Sequence, residues 1–150
     1  MYFLIFQVLS RSHAWSVETP ISSRHTLIKH CLHSRAHSTI SKYIREVNLF
    51  FKFQTQNNIK VSLPASITDV SIYLSHLVDK HKVSVAAMAH AALKWVHSIL
   101  PIDNNPLDAS ICKNLVEAEK RSRPGPIKKK EPTTLELVTS IVDSYAHEGA

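Results

Sequence analysis

The stretch SVAAMAHAALKWVHSIL, residues 84–100, constrains the fold more than any other part of the chain. Val85, Met88, Ala89, Ala92, Val96 and Ile99 recur at three- and four-residue steps, so they share one face of a 3.6-residue helix. His90, Lys94 and His97 form a second stripe on the far side, and Ala86, Ala87 and Ala91 lie between, small enough to admit a bulky partner. The pattern predicts a helix with an apolar face for a core and a basic, lightly built face for something else.

Three more helical segments surround it. Ser38 or Thr39 is placed to cap the first by accepting a bond from an early backbone N–H. Ile40, Tyr43, Ile44, Val47, Phe50 and Phe51 then make its apolar stripe, with Lys42, Arg45 and Lys52 on the other side. Short amides at Gln56, Asn57 and Asn58 favour a stop there. Pro64 pushes Leu63 out of helical geometry, and a second helix is expected from Ser66 to Lys80, with Ile67, Val70, Tyr73, Leu74, Leu77 and Val78 inward. Ser84 caps the central helix, and Pro101 stops it. Asn105 is the expected cap and Pro106 the first position of a fourth helix reaching Lys120. That helix is expected to bury Leu107, Ile111, Leu115 and Ala118.

The flanks read differently. Residues 1–37 show no sustained period and are expected to be an irregular extension outside the main fold. Residues 121–130, RSRPGPIKKK, carry five positive charges and no negative one around a Pro-Gly-Pro. Beyond them Leu135, Leu137, Val138, Ile141 and Val142 give one further amphipathic helix. The expected organisation is therefore an extension (1–37), a helical bundle (38–123), a basic linker (124–132) and a last helix (133–150). With only two glycines and seven prolines as punctuation, the class is all-α.

A formal charge of +6, with ten histidines beside it, points to a polyanionic partner. Two distant cysteines, Cys31 and Cys112, imply no disulfide framework and an intracellular setting. The opening MYFLIFQVL lacks a positive leader and is too short to span a bilayer, so neither a cleaved signal nor a membrane partner is expected. His25, His30, Cys31, His33 and His37 lack the paired doublets of a zinc site, and no metal or other cofactor is expected. No Gly-rich phosphate loop, nucleophile elbow or HExxH is present. Asp69, Asp79, Glu117 and Glu119 are scattered rather than paired, so no catalysis and no small-molecule substrate are expected.

In order and spacing these features resemble the core-binding domain of tyrosine recombinases of the phage-integrase type, especially copies related to DIRS-type and Crypton-type mobile elements. The resemblance is carried by Ser38, Thr39, Tyr43 and Phe50 in the first helix and by Leu63, Pro64 and Ala65 before the second. Val70, Tyr73, Leu74 and Leu77 follow, then Ser84 and the run Ala92, Leu93, Lys94, Trp95, Val96, His97 in the third. Pro106 opens the fourth, which closes on Glu119, Lys120 and Arg121. Lys128, Lys129, Lys130, Glu131, Pro132 and Thr133 resemble the joint into a catalytic domain. Val47 stands where relatives often carry Trp, and the usual Gly before the closing basic residues is missing. The resemblance implies a four-helix, SAM-like orthogonal bundle gripping one side of duplex DNA, plus a linker and the first helix of a truncated catalytic domain. The family's arginine, His-x-x-Arg pair and tyrosine nucleophile belong to that second domain, and Tyr145 lies too early to be the nucleophile.

Phosphate contacts come from Lys and Arg, from hydroxyls and from the N–H groups of helix starts. The expected DNA-binding set is Thr39, Lys42, Arg45, Ser84, Lys94, His97, Lys120, Arg121, Arg123, Lys128, Lys129 and Lys130. Lys42, Arg45 and Lys52 also fit an ordinary solvated face. The basic run at 121–130 also fits a nuclear-localisation signal, and the expected location is the nucleus. Trp95 fits core packing better than base stacking. Besides DNA, a second copy or a full-length recombinase is an expected partner through the last helix. The alternatives are a helical protein-interaction module and an inactive relic of a mobile element.

Overall fold

The structure, a computed structural model, describes residues 3–80 and 85–122, and every statement below concerns those residues. It is all-α: six α-helices and one 3-10 turn, with no strand among the described residues. The helices are α1 (Phe3–Ser10), α2 (Ile21–Leu32), α3 (His37–Gln56), α4 (Ile67–Lys80), α5 (Val85–Ser98) and α6 (Ser110–Ser122), the turn being Pro106–Asp108. The expected linker (124–132) and last helix (133–150) lie outside the described residues.

The four expected helices are α3, α4, α5 and the 3-10 turn with α6, and their punctuation is chemical. At the end of α3, Asn58 takes φ 58°, a left-handed value that asparagine tolerates. Its N–H then reaches Thr55 O at 3.2 Å while that of Ile59 reaches Gln54 O at 2.8 Å, closing the helix as a Schellman motif. Ser66 caps α4, its Oγ accepting from Asp69 N at 3.0 Å, an arrangement generally worth about 1 kcal/mol. Asn105 accepts from Leu107 N at 3.0 Å and donates to Lys94 O at 3.0 Å. Pro106 sits at the first position as expected, although the turn it opens is 3-10 and α6 begins only at Ser110. The expected Ser38 or Thr39 cap is not used: α3 starts at His37 with Ala36 before it and no side-chain cap.

Helix α5 is the centre, touching α3, α4, α6 and the 3-10 turn. Ala86, Ala89 and Ala92 are fully buried, and their small side chains are what allow neighbours to close in from several sides. Its buried surface is therefore wider than the expected stripe. Leu93, Trp95 and His97 are inside as well, while Met88 is 38% exposed at the rim. Around it, Phe50 and Phe53 of α3 pack on Tyr73 of α4 with ring centroids 5.1 Å apart, and Tyr43 packs on Trp95 at 5.5 Å. Burial and the charge of Glu46 hold the Tyr73 hydroxyl well above its ordinary pKa. Ile67, expected inside, is exposed at the start of α4.

Helix α6 is turned relative to expectation. Cys112 and Glu119, seven residues apart, face the core; Ile111 is half exposed, Ala118 is exposed and Leu115 is only partly covered. Glu119 Oε2 accepts the N–H of Ala86 at 3.0 Å and so closes an orphan donor in the first turn of α5 from another helix. Burial pushes the Cys112 thiol up, against a weaker opposing contact with Ser71 Oγ.

Residues 1–37 are not an irregular extension. Ile5, Leu9, Trp15, Ile28 and Leu32 join the same core as α3–α6. Each helix buries one apolar i, i+4 pair (Ile5 with Leu9, Ile28 with Leu32), enough to dock a short helix, but α1 is apolar at nearly every position and α2 is too polar for a sustained period to show. The α1–α2 loop is fixed by Arg24, whose guanidinium donates to Thr19 O at 3.1 Å, Ser10 O at 3.1 Å and Ser16 O at 3.3 Å. Trp15 Nε1 donates to Leu9 O at 2.8 Å beneath it. Replacing Arg24 by Gln leaves those carbonyls without their fork and is expected to cost about 1.5–3 kcal/mol. Limited proteolysis should then cut within 11–20 much faster than in the native chain, and unchanged cleavage would show that the loop is held otherwise.

Candidate nucleic-acid interface

The basic residues of α3 stand together. Ser38, Lys42, Arg45, Leu49, Lys52 and Gln56 follow one another at three- and four-residue steps, and all are exposed. No acidic residue occupies this stripe. The nearby Glu46 is half-buried, and its charge is felt by Tyr73 on α4. The ion pairs among the described residues join Lys94 to Asp108 and Lys120 to Glu117, leaving the stripe untouched.

Beside the stripe, Thr39, Lys42 and Tyr43 of α3 and Ala87, Met88 and Ala91 of α5 line an open groove of about 470 Å³. The small residues of the central helix thus lie against two of the expected DNA-binding residues. Thr39 is half-buried and Lys42 exposed at its edge, with Arg45 one turn further along. On the other flank of the same turn of α5, the Glu119–Ala86 bond places Lys120 and Arg121, both exposed, at the end of α6. Their charge also suits the last turn of that helix.

Other expected residues are differently employed. Lys94 is exposed, but its Nζ lies 2.9 Å from Asp108 Oδ1. That bond holds the Asp108 carboxyl below its ordinary pKa. The carboxylate of Glu119 takes an N–H at the start of α5, so this helix start does not offer all its donors to a phosphate. Ser84, Arg123, Lys128, Lys129 and Lys130 lie outside the described residues.

His97 requires a correction: it is fully buried and out of reach of a phosphate at the surface. Its Nε2 accepts from Ala65 N at 3.0 Å and its Nδ1 meets Leu93 O at 2.7 Å. A backbone N–H needs an acceptor and a carbonyl needs a donor, so the ring is neutral with its proton on Nδ1. It ties α5 to the turn before α4. The i, i+4, i+7 spacing that groups His97 with His90 and Lys94 does not separate a basic face from a face capped by another segment. His90 is likewise drawn inward, its Nε2 lying 2.8 Å from Leu107 O.

Sequence reasoning missed Glu119 as a structural group, although its spacing from Cys112 puts it on the same face of α6. The histidines of α2 are spread around that helix, His25 against Phe6 with centroids 4.8 Å apart and His33 against Lys29 O at 2.8 Å. Among the described residues no group of three or more His, Cys, Asp or Glu is placed to hold a metal ion. No helix among them is long and apolar enough to cross a membrane. Comparison with known proteins returned nothing: no family model, no curated protein and no solved structure matches the chain.

Burial lowers the His97 pKa from its ordinary 6.5, only partly offset by the bond to Leu93. Between the folded and unfolded values the unfolded chain binds the extra proton, so stability rises with pH there. The contribution is present above the unfolded value and lost as pH falls through the folded one. One proton sets a limiting slope of about 1.4 kcal/mol per pH unit. In denaturant titrations from pH 7 to 5, the stability difference between the native chain and His97→Gln should shrink as pH falls. Parallel curves would mean that His97 does not titrate with unfolding.

Proposed function

We propose that the chain is a duplex-DNA-binding helical domain of the tyrosine-recombinase core-binding kind, acting through phosphate contacts and without catalysis of its own. The reading rests on the sequence resemblance and on one observation: an exposed stripe of Lys42, Arg45 and Lys52 on α3, free of acidic residues and edged by the alanine-lined groove of α5. A helix face of this kind meets a phosphate ladder with several cations at once. Thr39 adds a hydroxyl at the groove, and at the end of α6 Arg121, with Lys120 once it leaves Glu117, adds further cations. The four-helix, SAM-like arrangement, the nuclear location and a role for the basic run beyond Arg121 belong to the same reading.

Fluorescence anisotropy with a labelled duplex tests it. Affinity should fall steeply with salt, and Lys42→Gln, Arg45→Gln and Lys52→Gln together should flatten the log–log slope by about 0.9 for each phosphate no longer neutralised. A slope unchanged by the triple substitution would remove α3 from the interface. No binding at low salt, together with a stable oligomer in sedimentation, would favour a protein-interaction module instead.

A further inference from the structure

A second positive site lies away from the α3 stripe, where α1 meets the segment joining α3 to α4. Arg11, His13 and Lys60 edge a cleft of about 470 Å³ whose remaining polar groups include the hydroxyls of Ser12 and Ser62. Its size falls within the range of small-ligand pockets. None of its lining residues is acidic, and neither Arg11 nor Lys60 enters an ion pair among the described residues. These side chains are not consumed in closing the helices either. The last carbonyls of α1 are met by backbone bonds, Arg11 N to Gln7 O at 3.1 Å and Ser12 N to Leu9 O at 3.2 Å, and those of α3 by its own closing turn. Ser12 is buried, and its Oγ accepts from Ala14 N at 3.1 Å, which leaves its O–H to donate. Beside the cations the lining is apolar, with Leu4 and Val8 on the same side of α1 as Arg11 and Val61 next to Lys60.

Two permanent cations, an imidazole and two hydroxyls drawn from two distant parts of the chain, with no carboxylate among the described lining residues, suit a multiply charged oxyanion. The apolar wall suits an organic group attached to it. We propose that this cleft binds an organic phosphate of mononucleotide size, the phosphate between Arg11 and Lys60 and the organic portion against Leu4, Val8 and Val61. No small-molecule substrate is expected from the sequence, and this cleft would bind a small molecule without acting on it. It does not depend on DNA binding, because none of its residues belongs to the α3 surface.

The test is an amide and imidazole NMR titration of the full chain with inorganic phosphate, adenosine 5′-monophosphate and adenosine. Saturable shifts are expected at residues 11–13 and 60–62 and at the His13 ring. Adenosine 5′-monophosphate should bind about tenfold more tightly than phosphate alone, the equivalent of 1.4 kcal/mol. Arg11→Gln with Lys60→Gln should weaken it about tenfold or more, while Lys29→Gln on α2, an equal kind of charge change elsewhere, should leave it unaltered. Both altered side chains are exposed, and an unchanged spectrum outside the cleft reports that the double variant is folded. Shifts that never saturate, that centre on Lys42 and Arg45, or that survive the double substitution overturn the proposal. So does adenosine binding as tightly as its monophosphate.

Discussion

Burying most of one helix, against three others and a 3-10 turn, is the constraint to which the rest of the structure answers. The enclosed part of α5 must find partners for its polar groups without water, since an unpaired buried polar group costs about 1–3 kcal/mol. Two side chains meet that demand at opposite ends. Glu119 closes a donor of the first turn, and His97, near the last, takes the N–H of Ala65 while giving its own proton to Leu93 O. Alanines between them keep the helix thin enough for α3, α4 and α6 to reach it.

Most of the bundle was legible because its signals are local. Apolar spacing marked α3, α4 and α5, and short polar residues marked several of their ends: the amides 56–58 after α3, Ser66 at the start of α4 and Asn105 before Pro106, although α3 begins without the expected Ser38 or Thr39 cap. What was illegible depends on three dimensions. Whether a histidine on α5 meets solvent or the backbone of another segment is decided by a contact 32 residues away in sequence, as His97 and Ala65 show. The turn of α6 that hides Glu119 follows from the same kind of distant bond. α1 is short and apolar nearly throughout and α2 is mostly polar, so neither shows a period, and it is the core of α3–α6 that gives them something to pack on.

The surface divides by chemistry rather than by an even spread of charge. Lys42, Arg45 and Lys52 on α3 share their stripe with no acidic residue, Glu46 lying beside it, whereas Lys94 and Lys120 have acidic neighbours within 4.0 Å. A cation already beside a carboxylate must exchange one partner for another before it gains by meeting a phosphate, and an exposed pair of this sort is worth little in either state. The same contrast sets Arg24, spent on three carbonyls of its own loop, apart from Arg11 at the cleft.

The bond from Glu119 to Ala86 also fixes how the chain may be dissected. A fragment stopping one residue short would keep every helix axis and almost all the apolar packing, yet the opening turn of the enclosed helix would lose its lid. Trimming from the other side uncovers the surface on which Ile5, Leu9 and Ile28 rest. Among the described residues, the smallest piece that retains the packing therefore runs from the first short helix through residue 119, wider at the front than the helical repeat alone would suggest.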